Sequence, residues 1–80
     1  MTIEIFGPSD PNCAALAANA RIAADKLGVH YELCRVTNQK DIAAHGVLFT
    51  PALAIDGRIR SAGKVLDAAE MTTLLASALA

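Results

Sequence analysis

The first chemistry that this sequence suggests is that of a thiol at the start of a helix. Cys13 follows a loop of glycine, prolines and small polar residues, and an alanine-rich stretch with helical periodicity comes after it. Asp10 can cap this helix by accepting a hydrogen bond from a backbone N–H of the first turn, and Pro11 suits the first helical position. Because a helix N-terminus carries a partial positive charge, Cys13 lies where a thiolate is favoured.

The Asp10 carboxylate acts on the same thiol in the opposite direction. Like charges disfavour each other, so a carboxylate near Cys13 raises the pKa of the thiol against the influence of the helix dipole. The sequence leaves the balance of these two effects open. We expect Asp10 to serve as the helix cap, with a role in acid–base chemistry as the alternative.

The second cysteine and the two histidines are the remaining candidates for thiol or metal chemistry. Cys34 lies near the carboxyl end of a predicted strand, Val29–Val36. That end lies at the edge of the predicted sheet where the helix that carries Cys13 begins. A disulfide needs Cα atoms within about 7 Å; we expect a free, half-buried Cys34 thiol, with a Cys13–Cys34 disulfide as the alternative. His30 and His45 lack metal-ligand spacing, so no metal and no cofactor are predicted.

Composition excludes several classes of function. The chain has 80 residues and a formal net charge of −1, which predicts a single domain over residues 1–80 and argues against nucleic-acid binding. No apolar run reaches the roughly 18 residues that a membrane span requires, and the first residues do not resemble a signal peptide. We therefore expect a cytoplasmic protein in which both cysteines are thiols.

Local signals predict seven elements. Gly28 ends the first helix in a left-handed conformation, Asp56-Gly57 is a two-residue hairpin turn, and Asp67 with Glu70 forms a capping box. Strand, long helix and strand at the start predict a right-handed, parallel βαβ unit. The expected elements are strand Thr2–Phe6, helix Pro11–Leu27, strand Val29–Val36, helix Gln39–His45, strands Ala52–Ile55 and Arg58–Ala62, and helix Ala68–Leu79.

The first helix has one apolar face, predicted from residues that recur at about 100° per position. The residues on that face are Cys13, Leu16, Ala20, Ala24 and Leu27. Ile22 falls outside this face, where it contacts a neighbouring element or forms a small dimer contact. We therefore expect a monomer or a weak dimer.

The loop and the segment from Gly46 to Gly57 together resemble the small redox-active disulfide proteins, a short-chain branch of the thioredoxin and glutaredoxin superfamily. Their motif is Gly-x-x-Cys-Pro-x-Cys, and this chain has Gly7-Pro8-Ser9-Asp10-Pro11-Asn12-Cys13. The later segment, GVLFTPALAIDG, is similar to the family pattern Gly-x-x-x-Thr-Pro-Ala-x-x-Ile-Asp-Gly. The family's first cysteine, the exposed nucleophile, falls on Asp10, and the resolving cysteine is retained as Cys13.

The resemblance implies an α/β thioredoxin-like fold, with a four-stranded mixed sheet in the order 2-1-3-4 flanked by helices. It also implies that the Thr50–Pro51 bond is cis and faces the helix that starts at Pro11, and that Cys13 is partly buried and modestly reactive. In this superfamily the residue before the cis-proline offers its backbone to an extended substrate chain. The residues that would bind a peptide are Pro11, Asn12, Phe49, Thr50 and Pro51.

Three functions follow from this resemblance. The first is a degenerate thioredoxin-like protein with weak or no dithiol reductase activity, which binds a protein or peptide in the groove beside Pro51. The second is a redox protein that uses Cys13 alone, with glutathione or a partner protein, or with Cys34 as a distant resolving thiol. The third is that Asp10 is an engineered or lineage-specific replacement in a family of ordinary dithiol reductants, and that this chain has lost the activity.

Overall fold

Four short strands form one sheet in the computed structural model, which describes residues 1–79. The strands lie in the order β2-β1-β3-β4, and the order and helix placement implied by the resemblance are confirmed. The elements are β1 (Thr2–Phe6), α1 (Pro11–Leu27), β2 (Glu32–Val36), α2 (Gln39–Ala44), β3 (Ala52–Ile55), β4 (Arg58–Ala62) and α3 (Ala68–Leu79).

Capping residues determine where α1 begins and ends. Asp10 is the N-cap and Pro11 the first helical residue, as predicted. At the other end, Gly28 has φ 69° and donates its N–H to Asp25 O at 3.1 Å, while the N–H of Val29 donates to Ala24 O at 3.2 Å. This pair of bonds is a Schellman motif, in which glycine takes the left-handed position because it has no Cβ.

β2 is shorter than the sequence predicted, because Val29–Tyr31 lie outside it. The N–H of Val29 donates its hydrogen bond to Ala24 O at the end of α1. β2 pairs with β1 in parallel, and the ladder begins where Thr2 lies opposite Glu32. At this end of the ladder, the N–H of Glu32 donates a 2.9 Å hydrogen bond to the carbonyl of Met1. α2 also ends one residue early, with His45 as its C-cap.

A hydrophobic core fills the space between the sheet and the two long helices. α1 packs against α3, and both cover the face of the sheet that carries Ile3 and Ile5. Four alanines of α1 are among its buried residues, and their small size lets the two helices approach closely. The buried residues of α1 are Cys13, Leu16, Ala17, Ala20, Ala23 and Ala24; Leu27, predicted on the same face, is partly buried against the core.

A smaller apolar cluster covers the opposite face of the sheet. Phe6 is its centre and Ile42 of α2 packs there. β1 pairs antiparallel with β3, and β3 with β4 through the turn at Asp56-Gly57, where φ is 50° and 85°. Two successive positive φ values are typical of the hairpin turn that the sequence predicted. Among residues 1–79, no helix has both the length and the apolar character needed to cross a bilayer.

Candidate thiol site at the start of α1

Asp10 holds the first turn of α1 through its side chain and its backbone. Its Oδ1 accepts a hydrogen bond of 2.8 Å from the backbone N–H of Cys13, and its carbonyl accepts one of 3.0 Å from the N–H of Ala14. The residue is extended, with φ −133° and ψ 171°, as an N-cap requires. The Asp10 carboxylate is therefore engaged in capping the helix.

Cys13 is fully buried, whereas the sequence predicted only partial burial. Its exposed fraction is 0%, and it lies in the core cluster with Ile5 and Leu16. The Sγ atom is 3.9 Å from the carbonyl oxygen of Phe6, which places the thiol as a weak donor to the end of β1. Helical periodicity put Cys13 on the apolar face, but only the packing of that face against β1 closes off the sulfur.

The surroundings of Cys13 favour the neutral thiol. Burial is the largest cause that raises the pKa of Cys13, and the hydrogen bond and negative charge of Asp10 raise it further. The positive charge of Arg35 opposes these effects and lowers the pKa, but the net direction is upward from the ordinary value of 9.0. The helix N-terminus alone favours a thiolate; here desolvation and the carboxylate prevail, and the thiol stays protonated at neutral pH.

Gly7 lets the Thr50–Pro51 segment pack close to the sulfur of Cys13. A Cβ atom at Gly7 would overlap Cys13 Sγ and would lie 3.3 Å from Thr50 Cβ and 3.7 Å from Pro51 Cα. Its φ of 151° lies in a region that is open essentially to glycine alone. The Thr50–Pro51 peptide bond is cis. These contacts show that Cys13 and the Thr50–Pro51 segment meet across Gly7, whose packing role the sequence reasoning missed, although glycine directly after a strand often marks a close approach.

The residues predicted to bind a peptide divide into exposed and buried groups. Pro11, Asn12 and Thr50 are exposed, while Pro51 is buried beneath them. Phe49 is 66% exposed, and the neighbouring Leu48, which the sequence reasoning did not select, is 85% exposed. Large apolar side chains at this exposure stand out against the general burial of such residues.

A shallow cavity lies beside this exposed segment. It has a volume of about 280 Å³, and its lining includes Pro8, Leu48 and Thr50 together with Ile42 of α2. One concave surface is therefore formed by Pro8, the segment before Pro51 and α2. Cys13 does not line this surface and is fully buried.

Cys34 lies on the other side of the sheet from Cys13. It is opposite Glu4 in the parallel register, so it shares the face that carries Phe6 rather than the face that carries Ile5. Both cysteines are free, and Cys34 is exposed, which corrects the expectation of a half-buried thiol. β2 is an edge strand, and the apolar cluster around Phe6 reaches Val36 at its end but leaves Cys34 exposed. The sheet itself separates the two sulfurs.

Of the two histidines, His45 makes side-chain contacts with its neighbours, and His30 contributes its backbone carbonyl as an acceptor for the Met1 amino group. His45 Nδ1 is 2.7 Å from Asp41 O, its Nε2 is 4.0 Å from Glu4 Oε2, and its ring lies 5.1 Å from that of Phe6 between centroids. Across the described part of the chain, no group of three or more His, Cys, Asp or Glu side chains has the arrangement of a metal site.

Comparison with known proteins covers nearly the whole chain. Residues 1–76 match the family model described as a thioredoxin domain. A protein named thioredoxin from Methanothermobacter thermautotrophicus is 33% identical over 75 residues, which cover 94% of this chain and 97% of that relative. A protein of the same name from Methanocaldococcus jannaschii is 34% identical over 79 residues, which cover 99% of this chain and 91% of the relative.

Proposed function

This chain belongs to the thioredoxin family, and from that premise we propose that its active loop has lost dithiol–disulfide exchange. The observation that carries the proposal is the position of Asp10. It caps α1 three residues before Cys13, where the family motif has its attacking cysteine, and its Oδ1 is bound to the Cys13 N–H. No sulfur in the loop can take over that role, because Cys13 is buried.

The reaction itself explains why one carboxylate removes the activity. In dithiol–disulfide exchange, an exposed thiolate attacks one sulfur of a substrate disulfide and expels the other as a thiolate. A second thiol then attacks the mixed disulfide, so two protein thiols are oxidised to one disulfide and the substrate disulfide is reduced to two thiols. A carboxylate forms no disulfide, and Asp10 therefore blocks the first step.

Monothiol exchange through Cys13 has less support than loss of activity. Attack on a disulfide requires a thiolate that a substrate can reach. Cys13 is fully buried, and both burial and Asp10 raise the pKa of its thiol. Cys34 does not serve as the resolving group in this proposal, because it lies on the opposite face of the sheet.

A second candidate function, peptide binding, rests on the exposed apolar segment before Pro51. Leu48 and Phe49 project into solvent beside Thr50, whose backbone occupies the position that contacts extended substrates in this superfamily. An extended peptide can add as a strand to such a backbone, while apolar pockets select its side chains. In this proposal the protein retains a substrate groove after the sulfur chemistry has been lost.

The decisive experiment measures reduction of insulin disulfides with dithiothreitol as the final reductant. We expect the wild-type protein to give the rate of dithiothreitol alone. Asp10→Cys restores the Cys-Pro-x-Cys spacing, so we expect it to form a reducible disulfide with Cys13 and to accelerate the reaction. Asp10→Cys combined with Cys13→Ser is the matched control and should be inactive in turnover. Wild-type turnover that Cys13→Ser abolishes would show that the proposal is wrong.

A further inference from the structure

A cavity separate from the thiol site lies between β4 and α3. Its volume is about 570 Å³, within the range of cavities that hold small molecules. No residue of the Gly7–Cys13 loop or of the segment before Pro51 is among the residues that line it. Its lining combines a cation, hydroxyl groups and leucines: Arg60, Ser61, Leu66, Thr73, Leu74 and Ser77 contribute to it.

Arg60 is the unusual member of this lining. Its Nε atom is buried and has no hydrogen-bond partner among the residues that the structure describes. Buried donors are almost always satisfied, and leaving a charged one without a partner is more unfavourable than leaving a neutral one. The remaining N–H groups of a guanidinium form a planar fork that matches a carboxylate or a phosphate. No described residue takes up the hydrogen-bonding capacity of the Arg60 guanidinium, and this group lines the cavity.

An irregularity of the β3–β4 ladder brings Arg60 to the cavity. Leu53 is opposite Ser61 and Ala54 is opposite Ile59, so Arg60 is the extra residue on β4 with no partner across the ladder. Such a bulge breaks the alternation of side chains and redirects one of them. Arg60 and Ser61 are consecutive, yet both line the cavity. A regular strand would have sent them to opposite faces.

The other two charged residues that line the cavity, Lys64 and Glu70, form an ion pair with each other, and the nearby Asp67, which does not line it, caps α3. Lys64 Nζ is 2.7 Å from Glu70 Oε2, and the backbone N–H of Glu70 donates to Asp67 Oδ1 at 2.7 Å. Arg60 forms no salt bridge with any acidic group in the described residues 1–79. The cavity thus presents one cation without a counter-charge, beside the apolar surface of Leu66 and Leu74.

We propose that this cavity binds a small organic anion, with its carboxylate or phosphate group on the Arg60 guanidinium. The apolar part of the ligand packs on Leu66 and Leu74, and the hydroxyl groups of Ser61 and Ser77 provide further hydrogen bonds. The site is independent of Cys13 and of the groove beside Pro51, so it stands whether or not the protein reduces disulfides.

The test is an NMR titration of the ¹⁵N-labelled protein at constant ionic strength with three aromatic probes. Benzoate carries a carboxylate, phenyl phosphate carries a phosphate, and benzyl alcohol is uncharged. We expect saturable shifts for at least one anion, centred on the Arg60 Nε–H and on the backbone amides of Ser61 and Ser77. The anion that binds with the lower Kd identifies the headgroup that the cavity prefers. Equal binding of benzyl alcohol, or no saturable shift with either anion, would overturn the proposal.

Variants on one strand separate the role of Arg60 from general electrostatic attraction. Arg60→Gln should weaken binding of the better anion about tenfold, because it removes a charge-assisted hydrogen bond. Arg58→Gln removes the same charge at an exposed position of β4 outside the cavity, and should change affinity less than about twofold. Equal effects of the two changes would mean that the anion is attracted by net charge alone. The Arg60 Nε–H shift in the wild-type protein keeps the test valid if Arg60→Gln folds poorly.

Discussion

The side chain of Asp10 accepts a 2.8 Å hydrogen bond from the backbone N–H of Cys13, so one carboxylate both caps α1 and disfavours the thiolate of the residue that it holds. In the alignment that we propose, Asp10 takes the position of the attacking cysteine in the family motif. On that proposal, the loop has a helix cap in place of a reactive group, and the carboxylate raises the pKa of the Cys13 sulfur.

Substitutions at Asp10 should separate its charge from its capping role. Asparagine caps as well as aspartate, so Asp10→Asn should change the free energy of unfolding by less than about 0.5 kcal/mol, while Asp10→Ala should lose about 1 kcal/mol. Both remove the charge, and both should lower the pKa of Cys13. Urea unfolding measures the first effect, and the pH dependence of Cys13 alkylation in a Cys34→Ser background measures the second. A pKa of Cys13 that is the same in all three proteins would contradict the assigned influence of Asp10.

Gly7 should tolerate no side chain. Gly7→Ala adds a Cβ that overlaps Cys13 Sγ at a φ of 151°, and we expect a loss of about 3 kcal/mol in the free energy of unfolding. Gly28→Ala is the matched control, because Gly28 also has a positive φ, of 69°, but a Cβ there meets no atom within 4 Å. The control should lose about 1 kcal/mol, from backbone strain alone. If guanidinium unfolding gave the same loss of unfolding free energy for Gly7→Ala and Gly28→Ala, the close contact between Gly7 and the Cys13 sulfur would not require glycine.

The two thiols should differ in reactivity as they differ in burial. A colourimetric thiol reagent should modify one thiol quickly in the native protein and two in the unfolded protein, because Cys34 is exposed and Cys13 is buried. Cys34→Ser should abolish the fast reaction, and Cys13→Ala should leave it unchanged. Two fast thiols in the native wild-type protein would contradict the burial of Cys13.

Stability should fall at alkaline pH through Cys13. Its pKa is raised in the folded state, so between the unfolded and the folded pKa the native protein holds a proton that the unfolded chain has released. The contribution is fully present below the ordinary value of 9.0, and it is lost as pH rises through the folded pKa. Urea unfolding should therefore show a steeper decline above about pH 9 for the wild type than for Cys13→Ala, which shares every other titrating group.

The exposed segment before Pro51 should contribute to peptide binding. In the Asp10→Cys background, Leu48→Ser should raise the KM for insulin about fivefold with little change in kcat, because it removes roughly 1 kcal/mol of apolar contact. Ile22→Ser, in which a residue 53% exposed on α1 is changed, is the matched control and should leave KM unaffected. Both sites are exposed, so neither change should alter stability by more than about 0.5 kcal/mol. An unchanged KM for Leu48→Ser would argue against the groove.

Most of the fold could be predicted because its signals are local. The cap at Asp10, the glycine at Gly28 and the Asp56-Gly57 turn each act within a few residues, and the structure has α1 and the β3–β4 hairpin with the predicted bounds. The position of Asp10 at the start of α1 follows from the same signals. β2 was predicted too long, because its true start depends on where β1, a distant segment, begins.

The sequence by itself determined the helices, the turns, the order of elements and the carboxylate three residues before the cysteine. Only the tertiary structure decided that Cys13 is buried and that Cys34 is exposed on the opposite face of the sheet. It also decided that Gly7 lies against the Cys13 sulfur and that a bulge in β4 directs the Arg60 side chain towards a cavity. The physical reason is range. Capping and turn preferences act between near neighbours in the chain, whereas the burial of a sulfur and the register of a bulge depend on which distant surfaces pack together.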